Sequence, residues 1–433
     1  MPLKHSVHEV SLKNGAKGII VDVPGTTAVS YQFHFRAGNE YVADKKREQT
    51  AHIMEHLAFG ANAKYGSAAE FSQDFSKNGT YFNASTWSRS MVYMADSPLM
   101  EWQTVLDMMC LAIVQPVFKK DELESEKGNV REELTGNINN HNRTLWQHVY
   151  KAMGDDFLTD KEKLATVDRV TLFDIKRHHE QTHTARNMRF VIAGDLAKHH
   201  DEIIAKLESW PIRRGKRLPH STVKLRSTPA VAVRRKELSN IRFVLTVVLN
   251  RELSNLESDT ISALNHLLTG TFHSRIWGKA RAQGICYGMG SSINTDIDEV
   301  SRWEIYGQVA VKNAPALVRL IETELSEVAK NGVTEEELES AKLYALGQYQ
   351  MRAQTVAEIS NWYADDYFDK EEIVPLKDVP RLIRRVTIPV IKQLVNEFFI
   401  DGEWTLGAIS GVSKTHIKRL HLQLSPLFSN KVK

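Results

Sequence analysis

The sequence predicts an α+β protein made of two homologous α/β sandwich domains, a prediction carried by three observations. The chain has 433 residues, more than the roughly 150 of a typical single domain. Segments recur in order at nearly constant spacing. Glu122-Leu123-Glu124-Ser125-Glu126-Lys127 returns 215 positions later as Glu337-Leu338-Glu339-Ser340-Ala341-Lys342, and Arg169-Val170-Thr171 returns 216 positions later as Arg385-Val386-Thr387. Phe33 and His56-Leu57 match Phe243 and His266-Leu267 at a spacing of 210. Such ordered self-similarity is the mark of a duplication. Finally, each half alternates strand-like and helix-like patterning in the same sequence.

In the first half, Ala28-Val29-Ser30-Tyr31-Gln32-Phe33-His34-Phe35 is rich in β-branched and aromatic residues and reads as a strand. Helical periodicity follows over residues 49–59, and over 259–268 in the second half. A later helix opens near Leu123, and its duplicate near Leu338, each with a glutamate-rich first turn that suits the helix dipole. Each half closes with a helix and one more strand, at residues 188–193 and 404–409. The stretch from Trp210 to Pro219 combines proline, glycine and charge, which marks a boundary. The expected division is a first domain at 1–212, a linker at 213–228 and a second domain at 229–433.

Composition narrows the class. Hydrophobic residues at 42% and charged residues at 25% exclude collagen-like, disordered and disulfide-scaffold chains. Lys plus Arg number 56 against 53 Asp plus Glu, so the whole chain offers no electrostatic case for nucleic acid. The basic cluster Arg213-Arg214-Gly215-Lys216-Arg217 reads as a solvated linker. The longest apolar run, 243–249, is interrupted by Thr246 and too short to span a membrane. Two cysteines in apolar contexts, Cys110 and Cys286, argue against a structural disulfide and for a reducing compartment. With no hydrophobic signal core after Met1-Pro2-Leu3, the expected location is cytoplasmic.

The duplicate half serves as a control for chemistry. Ala51-His52-Ile53-Met54-Glu55-His56-Leu57 stands opposite Ile261-Ser262-Ala263-Leu264-Asn265-His266-Leu267. His52 has become Ser262 and Glu55 has become Asn265, while Glu126 and Glu133 have become Ala341 and Gln348. Apolar positions persist and the ligand-type and acidic ones are lost, so the chemistry belongs to the first half. A solvated surface helix would not lose these residues together. His52 and His56, four apart on a helix, present both imidazoles on one face and can grip one metal ion. Glu55 lies on the flank of that face, within reach of a metal-held water. A catalytic zinc needs a third protein ligand and an open fourth position. Glu133 on a second helix is the candidate, with Glu126, two turns earlier, as a group that orients a ligand or the water.

Other constellations carry less. His178-His179 and His199-His200 are paired in polar stretches expected to be exposed, and solvated side chains are the better reading of them. Residues 270–279 and Gly288-Met289-Gly290 lack phosphate-loop spacing, and no G-x-S-x-G elbow occurs. Cys110 reads as a core packer.

These residues resemble the inverted-motif zinc peptidases, the pitrilysin and insulinase family, and among them the short-chain subfamily of the mitochondrial processing peptidases. Phe33-His34-Phe35-Arg36-Ala37-Gly38-Asn39-Glu40 is similar to the family's first core strand and turn. Asn78-Gly79-Thr80-Tyr81-Phe82-Asn83-Ala84-Ser85-Thr86 resembles its glycine-rich turn and N-A-x-T edge strand. Glu133 follows His56 at the family's spacing for the third ligand, and Glu126 matches the acid seven positions before it. Ser274-Arg275-Ile276-Trp277 through Arg281-Ala282-Gln283-Gly284-Ile285-Cys286-Tyr287 resembles the family's S-R-L-F … R … G-L-x-Y segment. The chain departs from the pattern in two places. Gln49-Thr50 stands where a glycine usually precedes A-H-x-x-E-H, and Arg281 and Tyr287 are one residue closer together than usual.

The resemblance implies one zinc per chain, held by His52, His56 and Glu133, and hydrolysis of peptide bonds in extended or unfolded segments. It makes Glu55 the general base, sets Glu126 beside the ligands, and has Arg281 and Tyr287 steady the oxyanion or the substrate backbone. Phe82, Asn83 and Ala84 would receive the peptide as an added strand. Having both sets of residues on one chain favours a homodimer with two composite sites, and a heterodimer with a related subunit is the alternative. The competing function is a non-catalytic core or assembly subunit that keeps the peptidase fold.

Overall fold

The computed structural model describes residues 2–77, 79–296 and 299–428. Asn78 of the glycine-rich turn lies outside them. Six strands form the first sheet: β1 (Ser6–Ser11), β2 (Lys17–Asp22), β3 (Ala28–Phe35), β4 (Tyr81–Thr86), β5 (Met91–Pro98) and β6 (Met188–Gly194). Five form the second: β7 (Val231–Arg234), β8 (Asn240–Leu249), β9 (Gly288–Asp296), β10 (Val300–Ala310) and β11 (Glu403–Ser410). The sheet orders are β1-β2-β6-β3-β5-β4 and β7-β11-β8-β10-β9. From β2 and from β7 onward these are the same order, with one parallel pair in each, β2 with β6 and β7 with β11. The duplication legible in the residues is therefore repeated in the topology.

Alternation along β3 explains the first sheet's two faces. Val29, Tyr31, Phe33 and Phe35 enter a core with Tyr93 and Phe190, against which pack α1 (Thr50–Ala58), α2 (Ala68–Ser76), α3 (Trp102–Val114) and α4 (Lys120–Ile138). Burying each of the large rings contributes about 2 kcal/mol. Ser30, Gln32 and His34 point to the other face and are buried as well. The helix Val356–Lys370 covers that face, and Gln32 Nε2 donates to Ser360 Oγ at 3.2 Å.

The second sheet is covered in the same way by α5 (His141–Met153). Leu145, Val149 and Met153 pack against Val244, Val248 and Ile409. Buried Glu304 accepts hydrogen bonds from Trp146 Nε1 at 2.9 Å, Tyr150 Oη at 2.7 Å and Thr246 Oγ1 at 3.1 Å. Two compact units result. The first takes residues up to Thr135, Lys161–His220 and Gln350–Leu376; the second takes Gly136–Asp160, Ser221–Tyr349 and the residues from Lys377 on. They differ from the sequential division expected from the linker. The reason is an exchange: α5 and the helix Val356–Lys370 are duplicates 215 positions apart, and each lies on the sheet built by the other half. No helix among the described residues is long and apolar enough to cross a membrane.

Of the two histidine pairs, His178-His179 departs from expectation. His178, on the helix Leu172–Thr182, is 3% exposed, and its Nε2 lies 2.8 Å from the Ala37 carbonyl. Beside it His179 Nε2 lies 2.8 Å from the Ile113 carbonyl, and His183 Nε2 lies 2.8 Å from Tyr93 Oη. The helix turns the His178 and His179 rings inward, and His183 follows at its C-terminal end, which the polar local sequence concealed. Burial pushes His178 down to about 4 and lowers His179 and His183 as well.

A base whose pKa is lower folded than unfolded binds more protons when unfolded. Its contribution to stability is therefore lost as pH falls from about 6.5 towards 4. Each such histidine is worth roughly 1.4 kcal/mol per pH unit within its window. His178→Gln is expected to shallow the fall in melting temperature between pH 6.5 and 4. Equal slopes in wild type and variant would contradict this.

Candidate metal centre

Helix α1 is held by its apolar side. Ile53, Met54, Leu57 and Ala58 are buried in the first core, which leaves His52, Glu55 and His56 on the open flank. His52 Nε2 and His56 Nε2 lie 3.3 Å apart. Helix α4 brings the carboxylates. Its buried Leu123, Val130 and Leu134 face the core and set Glu126 and Glu133 on the flank toward α1. Glu133 Oε2 is 3.2 Å from His52 Nε2 and 3.7 Å from His56 Nε2. Glu126 Oε2 is 2.9 Å from His56 Nδ1 and accepts from Asn129 Nδ2 at 3.0 Å.

Two residues with no role legible in the sequence join the site through its geometry. Gln49 Oε1 lies 2.9 Å from His52 Nδ1. Glu122 accepts from the backbone N–H groups of Ala61 at 3.1 Å and Ala68 at 3.3 Å, tying α4 to the segment after α1. The only signals were the unusual residue before the motif and the recurrence of the Glu122 segment.

The donor set fits zinc. With ligand bonds of about 2.0–2.1 Å, the corners of a tetrahedron stand about 3.3–3.4 Å apart. The Nε2, Nε2 and Oε2 triangle has sides of 3.2, 3.3 and 3.7 Å. Ligand-type atoms of His52, Glu55 and His56 also lie within 4.8 Å of one another, so Glu55 borders the same point in space. The electrostatics ask for a cation there. Burial opposes a charged His56, yet its bonds to Glu126 and Glu133 hold its pKa up at about 10. Hydrogen bonds to His52 and His56 hold Glu133 well below the usual carboxylate range. Burial raises Glu55 instead, against the pull of the two imidazoles.

Comparison with known proteins bears on the chain's family and fold. The family model described as insulinase, peptidase family M16, matches residues 20–160, and the one described as the peptidase M16 inactive domain matches residues 169–344. Between them these two models of peptidase family M16 match most of the chain. An uncharacterized zinc protease of Rickettsia felis is 22% identical over 94% of this chain and 98% of its own length. The zinc protease PqqE of Helicobacter pylori is 23% identical over 92% of this chain and 91% of its own. The beta subunit of the bovine mitochondrial-processing peptidase is 19% identical over 93% and 84%. Among solved structures, a peptidase M16 inactive domain from Pseudomonas fluorescens superposes with a TM-score of 0.82 at 18% identity, over 94% of this chain and 98% of that one. A protease from Helicobacter pylori gives 0.79 at 18%, over 95% and 100%. The two-domain M16 architecture is thus the fold of this chain.

The remaining residues that the resemblance singles out lie in both units. Among the described residues strand β4 ends the sheet order and pairs with β5 alone, leaving its outer edge without a strand partner. Within it Asn83 is exposed, whereas Phe82 packs on Phe59 and Phe75 at ring distances of 4.8 and 4.4 Å, and Ala84 is buried. Phe82 and Ala84 can therefore offer a peptide their backbone and not their side chains. In the second unit Arg281 lies in the last turn of the helix Trp277–Ala282. Its guanidinium stands 4.6 Å from the Tyr287 ring centre and 4.9 Å from that of Phe272, and it donates to the Tyr287 carbonyl at 3.1 Å. Tyr287 is 84% exposed. The spacing one residue short of the insulinase pattern still brings Arg281 and Tyr287 together.

Proposed function

We propose that the chain is a zinc-dependent endopeptidase of the processing-peptidase type, cutting extended peptides or unfolded segments. The observation that supports it most is the triangle of His52, His56 and Glu133 with Glu55 beside it. When bound, zinc would supply Lewis-acid polarisation of the scissile carbonyl and a lowered pKa for the attacking water. Glu55 takes the proton from that water and delivers it to the leaving amine, a role suited to a carboxylate whose pKa is raised by burial. Glu126 holds the His56 ring through Nδ1. The open edge of β4 accepts the substrate as an added strand, with Asn83 pointing outward to fix its backbone. Because strand addition needs an extended partner, folded proteins are poor substrates.

Arg281 and Tyr287, paired through the guanidinium and ring, are assigned to the oxyanion or the substrate backbone. Both they and the ligands occur on one chain, which supports a homodimer. The purified protein is expected to cleave internally quenched unstructured peptides, to lose that activity to a chelator, and to have a solution mass twice that of the chain. A zinc-loaded protein inert toward every such peptide, or an active monomer, would overturn the corresponding part.

A further inference from the structure

We propose, resting on the zinc reading above, that Gln49 is a positioning residue that holds His52 in the tautomer and ring orientation that turn Nε2 toward the ion. Gln49 occupies the N-cap of α1, where Ser, Thr, Asp or Asn would satisfy the free N–H groups. Its side chain makes no capping bond. It is 1% exposed, and its Oε1 is placed 2.9 Å from His52 Nδ1, three residues on along the same helix face. A buried amide oxygen requires a donor, and the Nδ1–H group of His52 supplies it. An imidazole protonated on Nδ1 presents the lone pair of Nε2, the atom that faces Glu133 and His56.

His56 is served in the same manner by Glu126. Each metal-facing ring thus has its own acceptor behind it, a carboxylate for one and a neutral amide for the other. The amide fixes the tautomer without adding a further negative charge to a site that already holds Glu55, Glu126 and Glu133. Outer-sphere partners of this kind orient metal ligands and tune their affinity.

The test is zinc affinity of the full chain, measured by competition with a chromophoric chelator, together with the melting temperature of the metal-free protein. Gln49→Leu removes the acceptor at similar volume and is expected to weaken zinc binding about 10- to 100-fold, with the melting temperature unchanged. Gln49→Glu restores an acceptor and is expected to bind zinc at least as tightly as wild type. Should Gln49→Leu melt early, Gln49→Met makes the same comparison with a more adaptable side chain. Wild-type affinity in the acceptor-free variants, or no rescue by Gln49→Glu, would overturn the role of Gln49 while leaving the zinc reading intact. A wild-type chain that takes up no zinc would overturn both.

Discussion

Glu55→Gln is expected to lower peptide turnover by about 10²- to 10⁴-fold at unchanged zinc occupancy. The amide has the same shape as the carboxylate and can still hydrogen-bond water, but it cannot take a proton. Glu55 borders the ligand triangle without being needed to complete it, since Glu133 supplies the third corner. The substitution therefore separates chemistry from metal binding. The check is kcat/KM on a quenched peptide at equal zinc content. Turnover retained within a few-fold would remove Glu55 from the mechanism.

Glu133→Ala is expected to weaken zinc binding by more than about 100-fold, beyond the range of an outer-sphere change. Two imidazoles would remain, and no other carboxylate has an oxygen placed 3.2 and 3.7 Å from their Nε2 atoms among the described residues. Glu126 cannot move into the vacancy without giving up His56 Nδ1. The same competition assay measures the effect. A variant that holds zinc as wild type does would mean that Glu55 is the third ligand, which would also remove its role as base.

Why some of this was legible in the residues and some was not follows from the range of each interaction. His52 and His56 meet because positions four apart share a helix face, a local rule that needs no tertiary knowledge. Glu133 lies on another helix, and only the loss of acids in the duplicate half, with the family spacing, pointed to it. Gln49 is also local, but a glutamine before a helix looks ordinary until its side chain is seen turned away from the helix end. Strand alternation already sets Phe82 and Ala84 opposite Asn83, so their inward side chains follow from a rule that the resemblance overrode. The exchange of α5 with the helix Val356–Lys370 left no local trace. Duplicated helices stand at equivalent positions in the two halves, so nothing local says which sheet each will cover. His178 shows the converse limit, where a polar neighbourhood masked an inward helix face.

One zinc held by His52, His56 and Glu133 is proposed to make the chain a peptidase. The most direct test titrates zinc into the metal-free protein while ion uptake and hydrolysis of a quenched peptide are followed in the same sample. Both are predicted to rise together and to saturate at one zinc per chain. Full uptake at one per chain with no hydrolysis would rule out a zinc-dependent peptidase and favour a non-catalytic assembly subunit that has kept its metal site.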